Sequence, residues 1–215
     1  MIVLHDFHRS SASFRIRIAL KLKGIDYRAV VHDLDAGAHR SPQYLEINRQ
    51  GLLPALEIGE QVLTQSAAIL EHLDATYPDP PLLPNTTRGR ARVRALFQMI
   101  ASDTHPLTGM RVARYLKGSL GCDDATVGRW KRHWITETFT VLETMLAADP
   151  ATGQFCHGDR PSLADIALVP QVVSARAAGV ALEPFPSISR IFERCMHIEA
   201  FRSAHPDSCA IPTHA

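Results

Sequence analysis

The spacing of apolar residues changes character at a proline-rich segment, residues 78–84, which reads PDPPLLP. Before this segment, short apolar runs alternate with amphipathic stretches; after it, long helical patterns follow one another without a strand signal. Strands that alternate with helices form an α/β unit, whereas consecutive helices pack on each other. The sequence therefore predicts an α/β domain over residues 1–80 and an all-helical domain over residues 87–215, with a linker at residues 81–86.

The first domain is predicted to follow the order β-α-β-α-β-β-α, a parallel βαβ unit followed by an antiparallel hairpin and a helix. Its first helix carries an apolar stripe at a spacing of four, with Arg15, Arg17 and Lys21 off that stripe, and ends at Gly24. The hairpin turns at Gly59–Glu60. The predicted segments are strands 2–4 and 27–31, the hairpin within 51–63, and short helices at 42–47 and 67–77.

The second domain is predicted to contain helices over residues 162–178 and 187–196. Ser162 and Asp165 have the spacing of a capping box, which marks the start of a core helix. The last residues, 209–215, are expected to fray. An earlier helix carries one continuous apolar stripe, made by Trp130, Trp134, Ile135, Phe139, Leu142 and Leu146.

Composition excludes several classes of protein. The 215 residues carry a net charge of +1, which argues against a nucleic-acid partner. No run reaches the 18 or more apolar residues of a membrane span, and the start, MIVLHDF, lacks the features of a signal peptide. The four cysteines form no CxxC, so a cytoplasmic protein with reduced thiols is expected.

No metal centre is predicted, although the chain has 11 histidines. Metal sites need convergent ligands at helical or knuckle spacing, and neither HExxH nor a His/Cys cluster occurs. The GxSxG, GxGxxG and P-loop motifs do not occur either.

Three short stretches each allow a structural and a functional interpretation. Ser10 and Ser11 precede the first helix, and Ser66 precedes the third, so all three suit helix caps; a helix start also attracts an anion. Pro54 lies in LLPAL, where an ordinary edge-strand proline is favoured because only about 5–6% of X–Pro bonds are cis. The alternative is a cis-Pro54 that presents the backbone N–H and C=O of Leu53 to an extended peptide.

The order of these features resembles the cytosolic glutathione transferase family. RSSASFRIRIALKLKGIDY is similar to the zeta class and its maleylacetoacetate and maleylpyruvate isomerases, which typically show SSCSxRVRIAL there. The likeness continues through INRQGLLPAL, LTQSAAILEHL, DTHPL and GDRPSLADIALVPQ, and it covers nearly the whole chain.

The resemblance implies a thioredoxin-like N-terminal domain, an all-α C-terminal domain, glutathione as cofactor and a homodimer. It implies a catalytic turn that contains Ser10, Ser11 and Arg15. Arg9 and Arg111 are candidates for binding substrate carboxylates, because guanidinium groups match carboxylates bidentately. Glutathione contacts are implied for Ser11, Ala12, His39, Leu53, Pro54, Gln65, Ser66 and His105.

The expected function is a glutathione-dependent cis–trans isomerase of maleylacetoacetate or maleylpyruvate in aromatic-compound catabolism. A general glutathione transferase, which conjugates or dehalogenates small electrophiles, and a non-catalytic glutathione-binding protein remain alternatives. The chain departs from the family where Ala12 replaces the cysteine of SSCS, and where Gly109 and Ala177 stand on the substrate side. These departures put the substrate in doubt more than the glutathione site.

Overall fold

The computed structural model describes residues 1–209, which form two compact units. The first comprises Met1–Pro81 together with residues 197–209, and the second comprises Leu82–Met196. The domain boundaries given above stay predictions. The expected fraying concerns residues 210–215, which lie outside the described part, and Cys209, which ends a short helix.

The first unit is built on a four-stranded sheet with the spatial order β2-β1-β3-β4. Strand β1 runs parallel to β2, whereas β3 is antiparallel to both β1 and β4. This mixed sheet confirms the predicted thioredoxin-like βαβ unit with its hairpin. The strands are β1 (Ile2–Asp6), β2 (Arg28–Val31), β3 (Ala55–Ile58) and β4 (Gln61–Thr64).

Three helices complete this arrangement: α1 (Ser11–Leu22), α2 (Pro42–Ile47) and α3 (Ser66–Thr76). A 3₁₀ turn, Ala38–Arg40, precedes α2. Helix α1 begins at the N-cap Ser10 and is followed by Gly24, whose φ of +63° suits a residue without a Cβ. Helix α2 begins with Pro42 after the cap Ser41, whose hydroxyl accepts from the Tyr44 N–H.

Helix α1 is buried on more sides than its periodicity predicts. Arg15 and Arg17, expected on the polar face, are each only 1% exposed. The expectation was wrong because each guanidinium reaches an acceptor inside the unit: Arg17 donates to the Asp6 carboxylate and Arg15 to the Ser66 hydroxyl. Both arginines therefore belong to the interior of the first unit.

The second unit is helical, as predicted, with one isolated β-bridge between Thr152 and Gly158 within residues 82–196. They are α4 (Thr87–Gln98), a π-helical turn (Met99–Thr104), α5 (His105–Thr108), α6 (Met110–Gly118), α7 (Asp124–Ala148), α8 (Leu163–Ala177) and α9 (Pro186–Met196). The capping box at the start of α8 is confirmed: the Asp165 carboxylate accepts from the N–H and the hydroxyl of Ser162, both at 2.8 Å. No helix within residues 1–209 is long and apolar enough to cross a membrane.

Two short helices, α10 (Glu199–Ser203) and α11 (Pro206–Cys209), follow α9. They belong to the first unit because they pack on α1. The Arg17 Nε donates to the Ala204 carbonyl at 3.0 Å, and the ring of His205 lies edge-on to that of Phe14. Phe201 is fully buried there.

Candidate active site

Strand register brings several of the predicted site segments to one edge of the sheet. His5, near the end of β1, pairs with Ala55 at the start of β3, and Ala55 pairs with Thr64 at the end of β4. Residues that follow β1, precede β3 and follow β4 therefore lie side by side. These are the segments that contain Ser10–Arg15, Leu53–Pro54 and Gln65–Ser66.

The turn after β1 leads directly into the start of α1. The Ser10 Oγ accepts from the Ser13 N–H at 3.2 Å, and the Ser10 carbonyl accepts from the Phe14 N–H at 2.8 Å. Ser10 is therefore the N-cap, as the sequence predicts. Ser11 is the first residue of the helix and is half-buried, and Ala12 behind it is buried.

Arg15 lies one turn further into α1 and reaches the start of α3. Its Nη1 donates to the Ser66 Oγ at 3.2 Å, and the arginine side chain is fully buried. Burial lowers the pKa of Arg15 to about 10, because removal from water disfavours the charged form. The guanidinium still carries its proton at neutral pH, so a buried positive charge lies beside the start of α3.

The start of α3 differs in detail from the prediction. Ser66 is not the N-cap but the first residue of the helix, and Gln65 occupies the cap position. Gln65 has φ +68°, the only positive φ of a non-glycine residue within residues 1–209. The Ser66 hydroxyl accepts from Arg15, and the Gln65 amide donates to the Gln50 Oε1 at 2.8 Å.

The Leu53–Pro54 peptide bond is cis, so the expectation of an ordinary edge-strand proline was wrong. Pairing between β1 and β3 begins at Ala55, after the proline, so Pro54 removes no ladder donor. The sequence prediction followed the general rarity of cis X–Pro bonds. The isomer of this bond depends instead on its surroundings in the folded protein.

His39 lies in the 3₁₀ turn before α2 and is buried. The turn packs on Gly51, which has φ +57°; a Cβ placed on Gly51 would lie 3.0 Å from the His39 carbonyl oxygen. His39 is therefore held next to the loop that leads to Leu53.

Three candidates remain: Arg9, which directly precedes Ser10, and His105 and Arg111 of the second unit. The Arg9 guanidinium pairs with the Asp35 carboxylate at 3.1 Å, and both side chains are at least half exposed. His105 begins α5, directly after the π-helical turn, and Arg111 is exposed on α6. Both belong to the second unit.

The sequence interpretation missed two buried side chains, Tyr44 on α2 and Asn48 at its C-cap, which both donate to the Leu52 carbonyl. The signal that could have found Asn48 is its position at the end of a short predicted helix, just before LLPAL. It also missed the π-helical turn at Met99–Thr104, which precedes His105–Pro106.

The groups at this edge of the sheet suit an anionic peptide. They comprise a helix start, hydroxyls, an amide and a buried guanidinium, all of which donate hydrogen bonds to negative charge. Glutathione has two carboxylates and an acidic thiol, so the residues present fit it.

Comparison with known proteins agrees with this fit. Residues 4–81 match the model of the glutathione S-transferase N-terminal domain, and residues 135–206 match that of the C-terminal domain. A maleylacetoacetate isomerase of Rhizobium meliloti (strain 1021) is 47% identical over 205 residues, which are 95% of this chain and 96% of the relative.

Two solved structures are similar over almost their full length. The holo structure of a maleylpyruvate isomerase, described as a zeta-class bacterial glutathione S-transferase, has a TM-score of 0.95 and 43% identity, covering 99% of this chain and 100% of the other. A maleylacetoacetate isomerase from Methylobacterium extorquens AM1, with bound malonate and glutathione, has a TM-score of 0.95 and 41% identity. The alignment covers 97% of this chain and 98% of that one.

Proposed function

Because the chain belongs to the glutathione S-transferase family, we propose that it is a glutathione-dependent cis–trans isomerase of maleylacetoacetate or maleylpyruvate, acting in aromatic-compound catabolism. The observation that carries the proposal is the junction of α1 and α3 at one sheet edge, where the Arg15 guanidinium donates to the Ser66 hydroxyl. The relatives of 47% and 43% identity described above bear the names of such isomerases.

When bound, glutathione supplies a thiolate that adds reversibly to the cis double bond, so that rotation about the resulting single bond and elimination leave the trans product. A free thiol has a pKa of about 8.5, so the protein has to stabilise the anion. The positive end of α1 and the Ser10 hydroxyl are the groups for this task.

Ser10 is the better candidate of the two serines for donation to sulfur. A hydroxyl has one hydrogen to donate and two lone pairs, and the Ser10 oxygen uses a lone pair to accept from the Ser13 N–H. That bond orients the oxygen and leaves its hydrogen available. Ser11 and Ala12 contribute to the positive helix start through their backbone N–H groups.

Other residues of the first unit hold the rest of the ligand in this proposal. Gln65 and Ser66, with Arg15 behind them, bind the γ-glutamyl carboxylate, and Leu53 pairs with the peptide backbone. Pro54 shapes this backbone, and His39 lies beside the same loop. His105 is the proposed contact from the second unit.

Negative charge develops on the conjugated carbonyl oxygen during addition, and the substrate also has carboxylates. We propose that the guanidinium groups of Arg9 and Arg111 bind these negatively charged groups of the substrate. Arg9 can leave Asp35 to bind a substrate carboxylate, because an exposed ion pair contributes only about 0–1 kcal/mol to stability.

Two further proposals follow from the family. The chain forms a homodimer, which light scattering after size-exclusion chromatography measures directly. It works in the cytoplasm, where glutathione stays a thiol; the four cysteines, Cys122, Cys156, Cys195 and Cys209, are free and suit a reducing compartment.

The decisive assay follows the ultraviolet absorbance of maleylacetone and maleylpyruvate with and without glutathione. The proposal expects turnover of at least one of them, dependent on glutathione. Conjugation of aryl halides or dehalogenation without isomerisation would favour a general transferase, and binding without turnover would favour a non-catalytic protein.

The variant Arg111→Ala should raise the KM of the maleyl substrate but not that of glutathione. Arg129→Ala is the matched control, because Arg129 is another exposed arginine of the second unit.

A further inference from the structure

Two side chains, one from α2 and one from its C-cap, donate to the same backbone oxygen in the loop before β3. The Tyr44 hydroxyl donates to the Leu52 carbonyl at 2.6 Å, and the Asn48 Nδ2 donates to the same oxygen at 2.8 Å. Tyr44 is 1% exposed and Asn48 is 4% exposed, so both bonds are shielded from competing water. The direction of this carbonyl is therefore set by two rigid donors.

The same peptide unit contains the N–H of Leu53. The Leu52–Leu53 bond is trans, since the cis bonds within residues 1–209 are those before Pro54 and Pro80. In a planar trans peptide the C=O and the N–H point in opposite directions. Donors that hold the Leu52 oxygen toward α2 therefore aim the Leu53 N–H away from α2. Neither backbone group of Leu53 has a hydrogen bond within the described residues.

The two donors also strengthen that N–H. Hydrogen bonds to a carbonyl polarise its peptide unit, which makes the attached N–H a better donor. Tyr44 keeps its hydrogen for this purpose, because burial raises its pKa to about 12.

Asn48 also accepts two hydrogen bonds from the neighbouring turn. Its Oδ1 accepts from the Gln50 N–H at 3.0 Å, and its carbonyl accepts from the Gly51 N–H at 2.8 Å. The Gln50 side chain in turn accepts from the Gln65 amide at 2.8 Å. One asparagine thus connects the Leu53 loop to the start of α3.

We propose that Tyr44 and Asn48 are positioning residues for glutathione, which aim the Leu53 N–H at a peptide carbonyl of the bound ligand. Neither side chain touches the ligand in this arrangement; each acts through the Leu52–Leu53 peptide. The inference rests on the proposed function only in taking glutathione as the ligand.

The test compares Tyr44→Phe and Asn48→Ala with the wild-type protein by calorimetric titration of glutathione. One neutral hydrogen bond contributes about 1 kcal/mol, so each variant should bind glutathione roughly three- to tenfold more weakly. The KM for glutathione should rise in parallel, while kcat at saturating glutathione stays within about twofold. Tyr27→Phe is the matched control, because it removes the same oxygen elsewhere in the first unit and should leave the affinity unchanged.

A second measurement does not depend on the ligand. In ligand-free protein the Leu53 amide ¹H resonance should move upfield in Tyr44→Phe, since its peptide loses a polarising donor, and stay in place in Tyr27→Phe. Tyr44→Phe removes a single oxygen and keeps the ring, so it carries the test even where Asn48→Ala fails to fold. If the wild-type protein binds glutathione no more tightly than the Tyr44→Phe variant does, the positioning role is wrong and the proposed function is unaffected. Wild-type protein that binds no glutathione overturns the proposed function as well.

Discussion

The Arg17 guanidinium donates to the Asp6 carboxylate at 2.6 Å, and both side chains are almost completely buried. The same guanidinium donates to the carbonyl of His8 at 2.9 Å and to that of Ala204 at 3.0 Å. One buried cation therefore ties together the end of β1, the turn that precedes Ser10, and the segment after α9. The geometry at the start of α1 depends on this pair.

The first prediction concerns Asp6→Asn, which keeps the shape of the side chain and removes its charge. The Arg17 charge would stay buried without its anionic partner, and breaking such a pair costs on the order of 3–5 kcal/mol. Urea unfolding should show a loss of this order. Asp35→Asn breaks the exposed pair with Arg9 and should change the free energy of unfolding by at most about 1 kcal/mol. Equal effects of the two variants would contradict the prediction.

The second prediction concerns the dependence of stability on pH. Burial, and then the neighbouring His5, lower the pKa of His32 below its ordinary 6.5. Below pH 6.5 the folded state then binds fewer protons than the unfolded state. The contribution of His32 to the free energy of unfolding is therefore fully present above pH 6.5 and is lost as the pH falls through the lowered pKa.

The measurement is the free energy of unfolding at several pH values above and below 6.5, for the wild-type protein and for His32→Asn. The variant should lose less stability on acidification than the wild-type protein does. His72→Asn serves as the control, because the His72 side chain has an exposed hydrogen bond to Thr76 on the same helix. A steeper acid loss in His32→Asn than in the wild type would refute the assigned direction.

The third prediction concerns Gly51, whose φ is +57°. A Cβ there would lie 2.9 Å from the Arg40 Nη1 and 3.0 Å from the His39 carbonyl oxygen. Gly51→Ala should therefore destabilise the protein by at least about 1–2 kcal/mol, the cost of the left-handed conformation alone, and weaken glutathione binding through the displaced loop. Gly59→Ala shares the positive φ but meets no atom within 4 Å, so it should cost stability without changing the affinity for glutathione.

The order of strands and helices was predictable because it depends on local periodicity. Strand alternation, the turn at Gly59–Glu60 and the caps at Ser10 and Ser162 all follow from residues close together in sequence. The same holds for the candidates Ser10 and Ser66, since helix starts attract anions wherever they occur.

Contacts between distant residues were not predictable in this way. Arg17 looks like a polar surface residue by periodicity, yet its acceptors include a carbonyl 187 positions further along the chain. The cis bond before Pro54 and the donation of Tyr44 to Leu52 are likewise consequences of packing. These are the details that orient the Leu53 loop, and local periodicity carries no signal for them.

The last prediction separates the serines of the stretch Ser10–Ser13. Ser10→Ala removes both the cap and the proposed donor to sulfur, so it should cost about 1 kcal/mol of stability and lower kcat/KM on the order of 100-fold. Ser11→Ala should lower kcat/KM less, because its backbone N–H remains. Ser13→Ala should leave the activity unchanged and raise the free energy of unfolding by up to about 1 kcal/mol, since the buried Ser13 Oγ has no partner within residues 1–209. Isomerase kinetics and urea unfolding of the three variants measure both quantities, and a larger kinetic loss in Ser11→Ala than in Ser10→Ala would reassign the donor to Ser11.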